Sequence, residues 1–184
     1  GKIIFAPNVK KVSDRAMEID MDFIDGKKLS EELDSMKNWK EVCVAIGENI
    51  ARLHDVDVIH GDLTTSNMVY VEGNSRQLRD ATGIINSRSA RKINKKTKAT
   101  KEFGFVERGK LYFIDFGLGF ENGKVEDKAV DLHLLKQALE AKHFRNWEKY
   151  WMAIVGSYKI SKRADEVLKR LEKVEKRGRY KEQY

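Results

Sequence analysis

The chain has 184 residues and a net charge of +7, and this length suits either one domain with a substantial core or a domain and a fragment, of which the second is favoured below. A single cysteine, Cys43, excludes a disulfide framework, and the sequence shows neither a signal peptide nor an apolar run of membrane-spanning length. These features predict a soluble cytoplasmic protein without a membrane partner, also nuclear if the source is eukaryotic. The four histidines lack metal-ligand spacing with cysteine, so a structural zinc is not expected.

The N-terminal region is predicted to be strand. Ile3-Ile4-Phe5 forms a short apolar run, and residues 16–24 place apolar side chains on one face and acidic side chains on the other. This alternation predicts a half-buried strand. Its apolar face consists of Met17, Ile19, Met21 and Phe23.

Helices are predicted where apolar residues recur at helical spacing. The first begins at an N-cap, Asn38, with Glu41 at the third position. These stripes predict core packing rather than a cofactor site. They comprise Val42, Ile46, Ile50 and Leu53, then Leu132, Leu135 and Leu139, then Trp147, Trp151 and Ile154, and last Ala164, Val167, Leu168, Leu171 and Val174.

Two motifs in the middle of the chain carry the chemistry. His60 to Asn67 reads HGDLTTSN, and an apolar strand at residues 111–114 leads into Asp115-Phe116-Gly117. Phosphoryl transfer from ATP needs a carboxylate that orients or deprotonates the acceptor, and a carboxylate with an amide oxygen that hold Mg²⁺. Asp62 fits the first role, and Asn67 with Asp115 fits the second. A polar turn and an unrelated strand end are the alternative, which the order of the motifs and the strands predicted at residues 68–71 and 111–114 disfavour.

One position departs from the usual kinase pattern. Gly61 replaces the arginine of the H-R-D sequence. That arginine normally pairs with a phosphorylated activation loop, so regulation through such a loop is not expected. Pro7 is the only proline, so no Ala-Pro-Glu sequence follows Asp115, and a peptide-docking segment is expected to be short or absent.

The excess positive charge lies in one segment. Residues 73–110 contain eleven lysines and arginines against three acids. The stretch over 73–109 is predicted to be a mobile loop insertion. Its cations suit salt-dependent RNA binding, and a solvated insertion without a partner is the alternative. The predicted RNA contacts here are Arg91, Lys92, Lys95, Lys96 and Lys98.

Together these motifs resemble one family. They are similar to those of the small atypical kinase/ATPase subunit of the KEOPS (EKC) tRNA-modification complex, and the similarity covers most of the chain except residues 73–109. The resemblance implies an α+β, protein-kinase-like fold, with an N-lobe remnant and hinge at 1–24 and the helical C-lobe at 25–184. The segments that carry it are His60–Asn67, residues 114–119, Val125–Leu132 and Val174–Tyr180.

The resemblance also implies an activity. The family binds ATP with Mg²⁺, autophosphorylates, and supports threonylcarbamoylation of adenosine in tRNA through contact with the threonylcarbamoyl-transfer subunit. By this resemblance Asp22 and Ile24 offer backbone groups to adenine, although an ordinary edge strand fits the pattern equally well. The other implied residues are His60 and Asp131, which support the catalytic loop, and Arg177 and Arg179, near the tRNA and the partner subunit. A plain helix N-cap is the alternative role for Asp131.

No Gly-rich phosphate loop and no strand lysine are found, so the chain is expected to be a C-terminal piece of a longer protein or a processed form.

Two other functions stay open from the sequence. A small-molecule phosphotransferase of the aminoglycoside or choline kinase type also has an H-G-D loop, but the sequences at Asp115–Gly119 and Val125–Asp131 argue against it. A catalytically silent RNA-binding scaffold is the other alternative.

Overall fold

The computed structural model describes residues 3–73, 105–106 and 109–181, with side chains in 3–73 and 109–177. The predicted α+β class is confirmed. No helix in these ranges is long and apolar enough to cross a membrane. In chain order the elements are β1 (Val9–Ser13), β2 (Glu18–Met21), β3 (Lys27–Lys28), α1 (Leu29–Glu32), α2 (Trp39–Asp55), a 3₁₀ turn (Thr65–Asn67), β4 (Met68–Glu72), β5 (Phe105–Val106), β6 (Gly109–Phe113), α3 (Val125–Lys142), α4 (Trp147–Tyr158) and α5 (Ala164–Lys181).

A four-stranded antiparallel sheet of order β3-β4-β6-β5 positions the two motifs. In its central pair, Met68 lies opposite Phe113 and Tyr70 opposite Leu111. All four side chains are buried, as expected for alternate residues on the inner face of a sheet. The strands predicted after Asn67 and before Asp115 are therefore confirmed, and their pairing brings the ends of the two motifs together.

The prediction of a loop over residues 73–109 is wrong at the C-terminal end of that segment. Phe105–Val106 pairs antiparallel with β6, and Gly109 already belongs to β6. A Cβ at Gly109 would lie 2.4 Å from the Val71 carbonyl oxygen, so glycine suits this close strand contact. Backbone hydrogen bonding to β6 overrides the polar composition of the segment here. Residues 74–104 and 107–108 lie outside the described residues.

The predicted helical stripes are confirmed. α2 packs mainly against α4, and α3 packs against α5. Gly47 allows the first pair to approach closely, because a Cβ there would lie 2.2 Å from the Ile154 carbonyl oxygen. Asn38 is the N-cap of α2 as predicted, but its side chain makes no capping bond and instead donates to the Tyr70 hydroxyl at 3.1 Å. Cys43 is a buried packing residue, and burial raises its pKa to about 12.

The prediction of a half-buried strand over residues 16–24 is wrong in both the length and the burial of the strand. β2 covers only Glu18–Met21 and pairs with β1 in a separate two-stranded sheet, while Met17 has a left-handed φ of 54°. Phe23 is 89% exposed and Ile19 is 60% exposed. Among the described elements these two strands pack mainly on each other, so the apolar side of the alternation has no covering layer. The run Ile3–Phe5 also forms no strand, because Phe5 makes a single bridge to Tyr112.

Candidate active site

One carboxylate anchors the start of the HGDLTTSN loop. Asp131 Oδ2 accepts the His60 backbone N–H at 2.8 Å, and Asp131 Oδ1 accepts the Gly61 N–H at 2.9 Å. Asp131 is 1% exposed, so both bonds form away from water, where an unpaired carboxylate would be costly. The alternative role as a helix N-cap is wrong, because α3 begins at Val125 and Asp131 lies inside it.

A buried histidine extends this anchor to α4. His54 Nε2 lies 3.5 Å from Asp131 Oδ2, and the Tyr158 hydroxyl lies 2.9 Å from His54 Nδ1. Burial lowers the pKa of His54, so the ring is neutral, with Nε2–H facing the carboxylate and Nδ1 accepting the hydroxyl. The sequence motifs assign no role to this pair. The one signal for it was a polar residue four positions after Ile50, on the buried side of α2.

A second contact from α3 holds the turn before the loop. The Lys128 ammonium is buried and pairs with Asp57, whose φ of 59° is left-handed. A hydrogen bond from Lys128 and its charge lower the pKa of Asp57. Lys128 lies in the motif Val125–Leu132, but nothing in that motif points to a partner 71 residues away.

His60 joins the two motifs. Its Nε2 lies 3.1 Å from the Ile114 carbonyl oxygen, and its Nδ1 lies 3.4 Å from the Asp62 backbone nitrogen. Burial lowers the pKa of His60, and a neutral ring supplies the one donor and one acceptor that these contacts need. The ring also packs against Phe116, with 4.4 Å between centroids. The predicted supporting residue thus contacts both the loop and the turn that contains Asp115.

Asn67 connects Asp62 to the second motif. Its Nδ2 donates to Asp62 Oδ2 at 2.8 Å and to the Asp62 carbonyl oxygen at 2.9 Å. The Asn67 carbonyl oxygen accepts the Ile114 N–H at 3.0 Å, one residue before Asp115. Asp115 has a left-handed φ of 61°, which aspartate tolerates better than most residues. The structure therefore brings Asp62 and Asn67 into contact and bonds Asn67 to Ile114, the residue before Asp115.

The donor set suits Mg²⁺ bound together with a polyphosphate. Because Nδ2 of Asn67 faces Asp62, its Oδ1 is left as an acceptor, and Asp115 is exposed with one oxygen 3.4 Å from the Gly117 nitrogen. Mg²⁺ in phosphoryl-transfer sites takes one or two protein oxygens and completes its shell with water and phosphate oxygens. No group of three or more His, Cys, Asp or Glu able to hold a metal occurs within residues 3–73 and 109–177.

Gly61 has a steric reason to be glycine. Its φ is 82°, and a Cβ at this position would lie 2.3 Å from the Leu118 carbonyl oxygen. The Asp131 carboxylate already fixes its N–H, so the loop cannot move away from Leu118 without losing that bond. An arginine here, as in H-R-D kinases, is incompatible with the observed approach of the two motifs.

We expect Gly61→Ala to lower the free energy of unfolding by about 2–4 kcal/mol, through the left-handed φ and the contact with a backbone oxygen. Gly156→Ala in α4 is the matched control, because a Cβ there has nothing within 4 Å. It should be neutral or stabilising by about 0.5–1 kcal/mol, the usual advantage of alanine in a helix. Urea unfolding of both variants measures the difference. Equal stabilities for the two variants would show that the loop has room at residue 61.

The residues assigned to adenine are bonded within the N-terminal segment. The Asp22 N–H donates to the Asn8 carbonyl oxygen at 2.9 Å, and the Asp22 carboxylate pairs with Lys10 at 3.1 Å. One backbone group of Asp22 is therefore already used, while Ile24 is half-buried. Their role towards adenine stays a prediction.

The predicted RNA contacts are only partly within the described residues. Arg91, Lys92, Lys95, Lys96 and Lys98 lie outside them, and Arg179 lies in α5 without a described side chain. The Arg177 guanidinium donates to Glu126 at 2.7 Å, and Arg170 pairs with the same carboxylate at 3.1 Å. An exposed ion pair contributes roughly 0–1 kcal/mol, so Glu126 holds Arg177 only weakly, and the RNA contact of Arg177 stays a prediction.

Acidification is expected to destabilise the fold through His54 and His60. Burial lowers both folded-state pKa values below the ordinary value near 6.5, so the unfolded chain binds more protons at mildly acidic pH. Their contribution is therefore complete above about pH 6.5 and is lost as the pH falls towards the folded-state values, by up to about 1.4 kcal/mol per pH unit for each ring. Urea unfolding at pH 7.5 and 5.5 measures the loss, which His54→Gln should reduce. A pH-independent stability over this interval would contradict the burial argument.

The comparisons with known proteins agree with the motifs. Over 181 residues, or 96% of the chain, the sequence is 32% identical to the "KEOPS complex subunit Bud32" of Pyrococcus abyssi. The chain belongs to the Bud32 family. It is also 33% identical over 162 residues to a "Probable bifunctional tRNA threonylcarbamoyladenosine biosynthesis protein" of Methanobrevibacter smithii, covering 87% of this chain and 22% of that protein. No protein-family model matches the chain.

A third Bud32-family relative carries a kinase name. The "Probable serine/threonine-protein kinase BUD32 homolog" of Archaeoglobus fulgidus is 31% identical over 141 residues, which cover 77% of this chain and 53% of that protein. The Pyrococcus protein is covered over 66% of its length. The α+β fold, with kinase-type motifs at the ends of β4 and β6, is protein-kinase-like as predicted. The lobe boundary between residues 24 and 25 stays a prediction.

Proposed function

We propose that this chain is part of an atypical Ser/Thr protein kinase or ATPase that uses ATP with Mg²⁺. The observation that carries the proposal is the bond from Asn67 Nδ2 to Asp62 Oδ2, on a loop that Asp131 anchors and that is bonded through Asn67 to the residue before Asp115. A phosphotransferase needs this combination of an oriented carboxylate and nearby metal-binding oxygens. The kinase name of the Archaeoglobus relative supports it.

Each of the three residues has a separate role in this proposal. Asn67 holds Asp62 Oδ2, which leaves Oδ1 to accept a hydrogen bond from the attacking hydroxyl or water. Asn67 Oδ1 and the Asp115 carboxylate would hold Mg²⁺. When bound, the metal supplies charge neutralisation for the transferred phosphoryl group. His60 and Asp131 fix the loop so that these groups need no rearrangement before the reaction.

We further propose that the protein acts as a subunit of the KEOPS complex in tRNA threonylcarbamoyladenosine modification. The names of the Pyrococcus and Methanobrevibacter relatives support this assignment. The proposed partners are the threonylcarbamoyl-transfer subunit and tRNA. The basic segment over 73–109 is the proposed RNA contact, together with Arg177 and Arg179.

The test is an assay of Mg-ATP turnover by the full-length protein, with and without its partner subunits and tRNA. Free phosphate and phosphoprotein are measured separately, because the first reports an ATPase and the second a kinase. We expect turnover that requires Mg²⁺ and changes when the partners are added. A full-length protein that neither binds nor turns over ATP, alone or in the complex, would support the RNA-binding scaffold instead.

The proposed RNA contact is tested by removing positive charges from the basic segment. Changing Lys92, Lys95, Lys96 and Lys98 to glutamine should weaken tRNA binding and reduce the slope of log K against log salt by roughly 0.7–0.9 for each phosphate that is no longer neutralised. The matched control changes four exposed lysines elsewhere, namely Lys11, Lys28, Lys40 and Lys169. Titrations of tRNA at several salt concentrations give both slopes. A slope that both variants change equally would leave the segment as a solvated insertion.

A further inference from the structure

A hydrogen-bond chain runs from the exposed Asp34 through the buried His143 to the HGDLTTSN loop, and neither the motifs nor the proposed function gives these residues a role. His143 is 2% exposed, and its Nδ1 lies 2.8 Å from Asp34 Oδ2. Its Nε2 lies 3.3 Å from Thr65 Oγ1, and Thr65 is 1% exposed. The other oxygen of Asp34 accepts the Tyr150 hydroxyl at 3.0 Å and the Asn146 amide at 2.6 Å.

The Asp34 carboxylate orients the His143 ring. Burial alone would raise the pKa of Asp34, but hydrogen bonds from Asn146, His143 and Tyr150 hold that pKa below its ordinary value. Because the Asp34 carboxylate can only accept, Nδ1 of His143 carries a proton. Nε2 then faces the Thr65 hydroxyl at 3.3 Å, and a hydroxyl can both donate and accept a hydrogen bond. That bond selects one orientation of the Thr65 side chain.

Thr65 transmits this constraint to the proposed site. It is the first residue of the 3₁₀ turn Thr65–Asn67, and the Asn67 N–H donates to the Thr64 carbonyl oxygen at 3.1 Å. A shift of the Thr65 backbone would move this turn and, with it, the Asn67 amide that reaches Asp62. His143 directly follows α3, and its N–H bonds to the Leu139 carbonyl oxygen at 2.8 Å, so the ring is attached to a rigid helix end.

The same helix contacts the loop region at three places. Lys128 pairs with Asp57 before the loop, Asp131 binds the first two loop residues, and His143 binds Thr65 near the loop's end. Asp131 and His143 are about three helical turns apart. Two fixed points on one rigid element define the orientation of the segment between them, whereas one point would allow it to pivot.

We propose that His143, oriented by Asp34, is a positioning residue for the catalytic loop and acts through the Thr65 hydroxyl to hold the Asn67 amide against Asp62. This inference rests on the proposed phosphotransferase function for its effect on rate. Its structural part, the restraint of residues 62–68, stands on the contacts alone. The two parts are therefore tested by separate measurements.

The first measurement is amide hydrogen exchange of residues 62–68 in the full-length protein. Thr65→Val removes the hydroxyl and keeps the shape of the side chain, whereas Thr65→Ser keeps the hydroxyl and loses a methyl group. We expect faster exchange in the valine variant, by about tenfold for loss of one net hydrogen bond, and near-wild-type exchange in the serine variant. Unchanged exchange in the valine variant would overturn the proposal, whether or not the protein turns over ATP.

The second measurement separates kcat from KM for ATP. The valine variant should lose about ten- to hundredfold in kcat, the cost of slight misplacement of reacting groups, with KM and melting temperature nearly unchanged. The serine variant should retain most of the turnover. A serine variant as impaired as the valine variant would show that the methyl group matters and the hydrogen bond does not, which also overturns the proposal.

A double-mutant comparison tests the partner. His143→Leu should reproduce the faster loop exchange, and adding Thr65→Val to it should produce no further increase, because both changes remove the same bond. Additive effects would show that the two residues act independently. A wild-type protein without ATP turnover would instead contradict the proposed function and leave the exchange measurements to decide the positioning role.

Discussion

Asp115→Asn in the full-length protein is expected to abolish Mg-ATP turnover and autophosphorylation, by about a thousandfold or more. The change removes the only carboxylate proposed to hold Mg²⁺. Without the bound metal, the negative charge of the phosphates is no longer neutralised during the transfer. Asparagine tolerates the left-handed φ of 61° at this position, so the variant should fold normally. Phosphate release and phosphoprotein formation measure the loss, and a melting curve checks the fold. Turnover near the wild-type rate would remove Asp115 from the site.

Asp62→Ala in the same protein is the companion variant, and we expect it to affect turnover and ATP binding differently. The carboxylate orients the acceptor and does not hold the nucleotide in the proposed arrangement, so turnover should fall while ATP binding is largely kept. Calorimetry with Mg-ATP separates the two effects. Wild-type turnover by this variant would show that the catalytic assignment is wrong.

Asp131→Asn is expected to destabilise the protein by about 3 kcal/mol, although it changes one atom of the side chain. Asp131 Oδ1 faces the Gly61 N–H, and Oδ2 faces the His60 N–H and His54 Nε2. An asparagine NH₂ group would meet a donor in either orientation, which removes charge-assisted bonds and leaves buried groups unpaired.

Asp127→Asn, in the same helix, is the control for that variant. Asp127 accepts the Lys124 N–H at 2.8 Å in an exposed capping box, and an asparagine oxygen can replace it, so the change should cost less than about 1 kcal/mol. Urea unfolding of both variants gives the comparison. Equal losses at 127 and 131 would mean that the buried anchor contributes no more than a surface cap.

The exposed β1–β2 hairpin shows where pattern reasoning fails. The alternation over residues 16–24 is real, but an alternation of apolar and polar residues shows only that the two faces of a strand differ in polarity. Burial of the apolar face needs a covering layer from elsewhere in the structure, and Phe23 at 89% exposure has none among the described residues. The helical stripes were predicted correctly because their partners, such as α4 against α2, are present.

The sequence by itself determined the helices with apolar stripes, the strands beside the insertion, and the placing of Asp62, Asn67 and Asp115 in two ordered motifs. These features depend on spacing along a few residues, which local backbone geometry translates directly into contacts such as the Asn67 to Asp62 bond. Only the tertiary structure decided which distant groups meet. The Asp131 bond to Gly61 spans 70 residues and the His143 contact with Thr65 spans 78. Such pairs leave no periodic signal, because their distance is fixed by how whole helices pack and not by the residues between them.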